Sequence, residues 1–380
     1  MLRGREIILY PTKEQEKLME KHSNSCRFIW NYMLTEQKKL FEQDGKYLST
    51  FDMIRLLKPL KEQEGFRWLY EVSNASLQII CRDLNKSYQK FFKKKGNLPK
   101  FKTKKESKHK FPTRSDSVYF LNEKYINIEK IGKVKYKTNY VFKYGKKSEK
   151  FLNARISYKN GKWILGFVVD CDNQTPALTN KSMGIDLGIK SLAVVEYNNE
   201  QIIFGNINKS KKVRLIKNKI LHLQRIISRK YEANKVGNKF VKTNNIIKYE
   251  EKVRKLFSKL TNIRKNYIHQ TTHTLVSLLP CRIVMENLNV IGMMKNRYLA
   301  KSIQEQWFAE FIKQIEYKCE WNNIEFIKAD RFYPSSKTCS NCGSIKKLLK
   351  LDDRIFVCDD CGFVIDRDYN AAINLSRYKV

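Results

Sequence analysis

Residues 182–197 are SMGIDLGIKSLAVVEY, two apolar runs joined by one short turn, with an acidic residue inside the first run. Gly188 lies between the runs, and glycine permits the tight turn that joins two antiparallel strands. We therefore predict a hairpin of two strands, Ser182–Leu187 and Ser191–Tyr197. Asp186 lies at its centre between apolar neighbours, and a carboxylate on a buried strand is costly unless a positive charge lies nearby. Asp186 is therefore the first candidate functional residue.

After this hairpin the sequence alternates between strand-like and helix-like patterns. We predict a third strand near residues 201–204, a strand that ends at Glu286, a helix over about 301–321 and a strand at 324–328. Two apolar stripes that repeat about every 3.5 residues precede Glu286 and predict an antiparallel helical hairpin. These stripes consist of Val213, Ile216, Ile220, Leu223 and Ile227, and of Tyr249, Val253, Leu256, Leu260, Ile263 and Tyr267.

Two further acids join Asp186 as candidates. Glu286 ends the strand RIVME, and Asp368 lies in VIDRDYNAAIN where a helix is expected to begin. Singly, such acids are often solvated or serve as helix N-caps. Converging carboxylates would repel each other at neutral pH, and divalent cations remove that repulsion. Mg²⁺ prefers oxygen ligands, and two such ions clamp the attacking and leaving oxygens of a phosphodiester.

Four of the nine cysteines form a metal-binding pattern. Cys339 and Cys342 make one C-x2-C pair, Cys358 and Cys361 make a second, and fifteen residues separate the pairs. This spacing is typical of a zinc site, and a glycine follows each pair where the backbone must turn. A redox-active C-x2-C is the alternative, but two copies at this spacing argue against it. A complete Cys₄ shell leaves no open coordination position, so we expect one structural Zn²⁺.

The other five cysteines stand alone among apolar residues, and we expect them to be small buried hydrophobic side chains. They are Cys26, Cys81, Cys171, Cys281 and Cys319.

The charge of the chain indicates a polyanionic partner. There are 75 Lys and Arg against 38 Asp and Glu, a net charge of +37, and 42% of the residues are hydrophobic. Such a globular chain repels itself unless a polyanion, usually nucleic acid, neutralises it. Ribosomal or histone-like proteins share this charge but are usually shorter and poorer in aromatic residues. No apolar run reaches about 18 residues and no signal peptide is evident, so we expect a cytoplasmic, nucleoid-associated protein without a membrane partner.

The N-terminal half combines a small β-structure with helices. A strand at residues 4–11 precedes helical periodicity that continues to about residue 95, and short strands follow between 118 and 170. The first strand can join the later ones, which makes a β-barrel with the helices as an insertion. Residues 173–180 are polar and are expected to form a linker.

Two basic segments of this half are candidate nucleic-acid contacts. One helix carries the apolar stripe Leu77, Ile80, Leu84, Tyr88 and Phe91, and its opposite face carries Gln78, Arg82 and Lys86. That face either contacts phosphates or is simply solvated, and both interpretations stay open. Lys100 and Lys102 lie in LPKFKTKK, where interleaved lysine and phenylalanine suit backbone contact and stacking.

The ordered motifs resemble one known family. GIDLGIKSLAVV, IVMENLNVIGM, the two cysteine pairs and DRDYNAAIN follow each other as in TnpB, the transposon-encoded relatives of type V CRISPR effectors. The resemblance implies an α/β multidomain fold, in which an RNase H-like (RuvC) nuclease domain contains the Cys₄ zinc ribbon and a wedge β-barrel contains a helical recognition domain. The implied boundaries are 1–12 and 98–180 for the wedge, 13–97 for recognition, 181–332 and 365–380 for the nuclease, and 333–364 for the ribbon, which would bind target nucleic acid.

The resemblance also implies a function. Asp186, Glu286 and Asp368 match the three catalytic acids of the family, which hold two Mg²⁺ ions. Of the two acids in DRDYN, the family's catalytic one resembles the acid two residues before the asparagine, so Asp368 is preferred and Asp366 is the less likely candidate. A single protein would bind one guide RNA from the transposon end and cleave double-stranded DNA next to a short flanking motif, while base pairing reads the sequence. A compact CRISPR effector, an RNA-guided repressor without cleavage and a transposase are the alternatives.

Overall fold

The computed structural model describes residues 2–104, 109–138, 140–145, 152–171, 176–350 and 353–379. The chain divides into two compact units, Met1–Asp172 and Asn173–Val380. The division falls at the start of the predicted linker, of which residues 173–175 lie outside the described ranges.

A seven-stranded antiparallel sheet forms the base of the first unit. Its strands are β1 (Leu2–Tyr10), β2 (Lys110–Pro112), β3 (Val118–Phe120), β4 (Tyr125–Ile128), β5 (Gly132–Lys137), β6 (Leu152–Lys159) and β7 (Lys162–Asp170). The order is β2-β6-β7-β1-β5-β4-β3, and β1 pairs with β7 on one side and β5 on the other. The prediction that the first strand joins the later ones is therefore confirmed. Among the described pairings none joins β2 to β3, so closure into a barrel stays a prediction.

The helices of the first unit are inserted between β1 and β2. They are α1 (Lys13–Asp44), α2 (Thr50–Glu62), a 3₁₀ helix (Glu64–Glu71) and α3 (Asn74–Phe92). The Thr12 side chain accepts a hydrogen bond from the Gln15 amide and so caps α1, as the sequence indicates. On α3 the predicted apolar stripe is buried from Leu77 to Tyr88, but Phe91 is 37% exposed because it lies in the last turn, beyond the core.

The second unit contains a mixed five-stranded sheet surrounded by helices. Its elements in chain order are β8 (Ser182–Leu187), β9 (Ser191–Tyr197), β10 (Glu200–Gly205), a 3₁₀ turn (Ile207–Lys209), α4 (Lys211–Ala233), β11 (Lys235–Val236), β12 (Lys239–Phe240), α5 (Asn244–Ser277), β13 (Arg282–Met285), α6 (Val290–Met293), α7 (Ala300–Gln306), α8 (Phe308–Asn322), β14 (Glu325–Lys328), β15 (Ile355–Val357), β16 (Val364–Asp366) and α9 (Arg367–Ser376). The sheet order is β10-β9-β8-β13-β14, with an antiparallel meander over β8 to β10 and parallel pairing of β8, β13 and β14.

Each face of this sheet has its own core. Met183 and Ile185 point into the larger core, which α5 and α8 complete, whereas Val284 clusters with Leu375 of α9 on the opposite face. The helices α4 and α5 pack along their apolar stripes, and the predicted helical hairpin is confirmed.

Two sequence expectations are wrong in detail. The helix expected over 301–321 is broken into α7 and α8, because Trp307 adopts a left-handed conformation with φ of 58°. Of the five lone cysteines, Cys171 and Cys281 are only partly buried. Both flank a strand instead of lying within one: Cys171 follows β7 and Cys281 precedes β13.

Candidate active site and metal centre

Two parallel strands bring Asp186 and Glu286 side by side. Ile185 of β8 lies beside Met285 of β13 in the parallel ladder. The next residue on each strand is a carboxylate, and adjacent strands are only about 4.8 Å apart. Sheet register therefore places the two acids next to each other at one edge of the sheet.

The last helix adds Asp368 to the same face. Side chains alternate along a strand, so Asp186 points to the side of Gly184, and the partner of Gly184 is Val284. α9 lies directly on this face: a Cβ atom built on Gly184 would be 2.0 Å from the Ala372 carbonyl oxygen. Asp368 occupies the first turn of α9. The close approach at Gly184 thus brings the third acid to the other two.

The three acids interact electrostatically. Burial, and then the negative charges of Glu286 and Asp368, raise the pKa of Asp186 well above its usual value, while Arg367 acts in the opposite direction. The charged form of Asp186 is therefore unfavourable here unless a cation compensates it. Within the described ranges, the three carboxylates do not gather as tightly as the four thiols described below.

The two acids of the DRD segment differ in role. Asp366 is exposed, and its Oδ1 accepts hydrogen bonds of 3.0 Å from the backbone amides of Asp368 and Tyr369. Asp366 is therefore the N-cap of α9. Asp368 is partly buried, and its charge contributes more than that of Asp366 to the raised pKa of Asp186.

A residue that sequence reasoning missed holds Glu286. Ser335 is 2% exposed, and its hydroxyl donates a hydrogen bond to Glu286 Oε1. The Asn374 amide in turn donates to the Ser335 carbonyl at 2.7 Å and to the Thr338 carbonyl at 2.6 Å. The available signal was the repeat of asparagine four residues apart in DRDYNAAIN, since residues i and i+4 share one helix face. The first of this pair, Asn370, also bonds the segment beside Cys339.

The four predicted cysteine ligands converge on one point. Their sulfur atoms all lie within 4.8 Å of one another, with Cys339 and Cys361 at 3.7 Å and Cys342 and Cys358 at 3.6 Å. A disulfide has an S–S distance of only about 2.05 Å. A tetrahedral ion with bonds of about 2.3 Å requires sulfur atoms about 3.8 Å apart. The geometry therefore fits a four-coordinate metal ion.

The backbone around the thiols supports the same interpretation. Gly343 and Gly362 adopt φ of +80° and +69°, as expected for the turn after each cysteine pair. The Phe363 backbone amide is the main cause that lowers the pKa of the Cys361 thiol to about 6. The pKa of Cys342 is instead raised to about 12: the Ser344 backbone lowers it, but the hydrogen bond to Cys361, burial and the bonds to the other two cysteines outweigh that effect. A lowered thiol pKa favours the thiolate, which is the form that binds metal.

The five predicted nucleic-acid contacts all belong to the first unit. On α3, Arg82 and Lys86 are exposed and Gln78 is partly exposed. The Lys100 carbonyl accepts a hydrogen bond of 3.0 Å from Trp30 Nε1, and the Lys102 ammonium lies 3.1 Å from the centroid of the Trp30 ring. The structure thus places all five residues in one unit and leaves their role as contacts a prediction.

Three family models match the chain. A model described as "Probable transposase" (OrfB of IS605) matches residues 166–297, "Cas12f1-like, TNB domain" matches 308–375, and the "Helix-turn-helix domain" of IS605 OrfB matches 1–46. In this chain the last of these segments contains β1 and the single long helix α1. No helix in the described ranges has the length and apolar composition needed to span a bilayer.

The similar proteins have consistent names. A Streptomyces pristinaespiralis protein is 28% identical over 96% of this chain and 86% of its own length, and InsQ of Escherichia coli K12 is 28% identical over 98% and 91%; both are named "Putative RNA-guided DNA endonuclease". Cas12f1 of Sulfoacidibacillus thermotolerans is 28% identical over 57% of the chain and 50% of its own length. The fold is similar to that of Cas12f1 in a complex with sgRNA and target DNA, with a TM-score of 0.57, 15% identity and coverage of 99% and 98%.

Proposed function

We propose that this chain, which matches the IS605 OrfB models at residues 1–46 and 166–297, is a Mg²⁺-dependent, RNA-guided DNA endonuclease of the TnpB type. The guide is a structured RNA transcribed from the transposon end, and the substrate is double-stranded DNA beside a short flanking motif. The net charge of +37 supports polyanionic partners that are recognised through phosphates.

The convergence of three carboxylates on one face of a mixed sheet carries this proposal. We assign Asp186, Glu286 and Asp368 as the catalytic acids and as ligands of two Mg²⁺ ions, because strand register and the close approach of α9 at Gly184 bring them to one face, where their mutual repulsion favours bound cations. Bound there, such ions would supply the charge that activates water and stabilises the leaving oxygen. Ser335 orients Glu286 through its hydroxyl, and Asp366 fixes the first turn of α9, so both act as positioning residues.

The order and pairing of the strands and helices support the domain assignment. A meander followed by two parallel strands supports an RNase H-like (RuvC) nuclease domain at 181–332 and 365–380. The Cys₄ cluster supports a zinc ribbon at 333–364. The first unit supports a wedge at 1–12 and 98–180, whose last residues, 173–180, are the linker beyond that unit, and inserted recognition helices at 13–97. We propose one protein per guide RNA.

A compact CRISPR effector is the second candidate, favoured by the similarity to Cas12f1. It differs only in the source of the guide. A repressor without cleavage is disfavoured because all three acids are present, and a transposase would need no RNA at all.

Expression with the native flanking DNA tests the proposal. We expect a single discrete RNA to purify with the protein, and the loaded particle to cut DNA that matches the RNA's variable end only when Mg²⁺ is present. Sequencing of that RNA separates transposon-end guides from CRISPR repeats. A preparation that cuts or joins DNA equally well after complete removal of RNA would contradict a guided nuclease and favour a transposase.

Replacement of Cys358 by Ser should remove the proposed Zn²⁺. Cys358 is 4% exposed and lies in the small core of the ribbon, so loss of one thiolate opens both the metal shell and that core. We expect the zinc content to fall from about one ion per chain to well below half, with rapid proteolysis within 333–364. Cys281→Ser, at a lone and partly exposed cysteine, is the matched control. Equal zinc content in the two variants would contradict the Cys₄ site.

A further inference from the structure

The first unit contains a cavity outside the carboxylate and cysteine sites. Its volume is about 650 Å³, within the range of about 300–1,000 Å³ typical of ligand pockets. It lies between α1, α3, the segment at residues 101–102, β2 and β6. The helical insertion and the sheet therefore form its walls together.

The lining of this cavity is strongly basic. Six cationic side chains line it: Arg27, Lys86, Lys90, Lys102, Lys110 and Arg155. Asp83 is the only acidic residue in the described lining, and it forms an ion pair of 2.8 Å with Arg155. No ion pair forms at the other five cations within the described ranges. Such uncompensated positive charge is unfavourable in the free protein and favours an anionic ligand.

Lys102 shows this imbalance most clearly. It is partly buried and faces Cys26 of α1, Asp83 of α3, Lys110 of β2 and Arg155 of β6. Burial, and then the charge of Lys110, lower the pKa of Lys102 to about 8; Arg155 acts in the same direction and Asp83 against it. Burial also raises the pKa of Cys26 to about 12, so this thiol stays neutral and does not compensate the lysine.

The cavity is also preformed. The Asn31 side chain accepts a hydrogen bond of 2.8 Å from the Lys102 amide and donates one of 2.9 Å to its carbonyl. The Lys102 ammonium lies over the Trp30 ring in a cation–π contact, and Trp30 Nε1 donates a hydrogen bond to the Lys100 carbonyl. These contacts fix the lysine before a ligand arrives, which lowers the entropic cost of binding.

We propose that this cavity binds one phosphodiester group of a nucleic-acid strand, with Lys102 and Arg155 as the inner contacts. The exposed Lys86, Lys90 and Lys110 then hold the adjoining backbone. Phe101, which is 47% exposed, provides apolar surface for the neighbouring sugar or base. Such contacts fix the position of the strand without reading its sequence. The inference rests on the proposed function only for the source of the strand, guide RNA or target DNA.

The pH dependence of binding tests the role of Lys102. A phosphate beside Lys102 raises its pKa, so binding takes up a proton whenever the free lysine is neutral. Affinity is then constant below the free pKa of about 8 and falls as pH rises through it, by about tenfold between about pH 7 and about pH 9. Lys102→Arg keeps the charge over this whole range, so we expect it to bind well at pH 7 and to lose the decline.

Two arms identify the strand. In the first, guide RNA binds RNA-free, full-length protein; in the second, target DNA binds the RNA-loaded Asp186→Asn protein in the absence of divalent cations, so that the DNA stays intact. In one of the two arms the affinity of the wild-type protein should decline with pH while that of Lys102→Arg does not. The nucleic acid used in that arm is the ligand of the cavity. A decline of equal size in both proteins, or no decline in either arm, would overturn the proposal.

A second measurement does not depend on guided activity. With a short single-stranded DNA oligonucleotide, Lys86→Gln combined with Lys90→Gln should lower the slope of log K against log salt by about one for each lysine–phosphate pair that the substitutions remove. Lys58→Gln, at an exposed lysine of α2 outside the cavity, should leave the slope unchanged. Equal slopes in the two variants would contradict phosphate binding in the cavity. An altered slope in a protein that shows no guided cleavage would contradict only the proposed nuclease activity.

Discussion

Replacement of Asp186 by Asn should abolish guided DNA cleavage, with a loss of at least about a thousandfold, equivalent to about 4 kcal/mol of transition-state stabilisation. Asp186 is central in the carboxylate site, between the acids contributed by β13 and α9. Without its charge the site keeps its shape and loses a shared metal ligand. The measurement is single-turnover cleavage at saturating Mg²⁺, with guide and target binding measured in parallel and expected to be unchanged.

Asp366→Asn is the matched control for this loss. Asp366 accepts two backbone hydrogen bonds as the N-cap of α9, and asparagine caps helices about as well as aspartate. We expect cleavage within about threefold of wild-type, whereas Asp368→Asn should lose as much as Asp186→Asn. The opposite pattern, with Asp366 essential and Asp368 dispensable, would show that the third acid has been wrongly chosen.

The stability of Asp186→Asn separates loss of chemistry from misfolding. In the metal-free protein the folded-state pKa of Asp186 is raised, so the folded state binds its proton more tightly than the unfolded state does. Stability therefore declines as pH rises above the ordinary aspartate pKa. At neutral pH the substitution removes that penalty, and the metal-free variant should melt at a temperature equal to or above that of wild-type.

The strands and the candidate site residues were predictable from local pattern. Asp186 is conspicuous because a charged residue interrupts an apolar strand, and the cysteine pairs carry their own spacing. Strand positions then follow from alternation, so the hairpin at β8 and β9 matches its predicted bounds. These features can be recognised from a few neighbouring residues of the sequence.

The remaining features depend on contacts between distant residues. Ser335 holds Glu286 across a separation of 49 residues, and nothing in the segment YPSSKTC distinguishes Ser335 from the serine that follows it. The break at Trp307 was equally hidden, because the residues around it have ordinary helical periodicity. Local pattern thus predicted the candidate residues that the fold brings together, but not the residues that hold them in place.

Replacement of Gly184 by Ala should disrupt the second unit. The added Cβ would lie 2.0 Å from the Ala372 carbonyl oxygen and 2.4 Å from the Ser376 amide nitrogen, both in the backbone of α9. Backbone cannot rotate away as a flexible side chain can, so α9 must move off the sheet. We expect a destabilisation of about 3 kcal/mol or more, seen as a fall of about 6–12 °C in the melting temperature of this unit.

The same displacement should also remove cleavage, because α9 carries Asp368 to Asp186 and carries Asn374 to the Ser335 segment. Gly205→Ala is the matched control, since a Cβ on this glycine of β10 meets no atom within 4 Å. We expect Gly205→Ala to melt and cleave like wild-type. If Gly184→Ala behaved in the same way, α9 would not rest on β8 as described, and the convergence of the three acids would lose its structural basis.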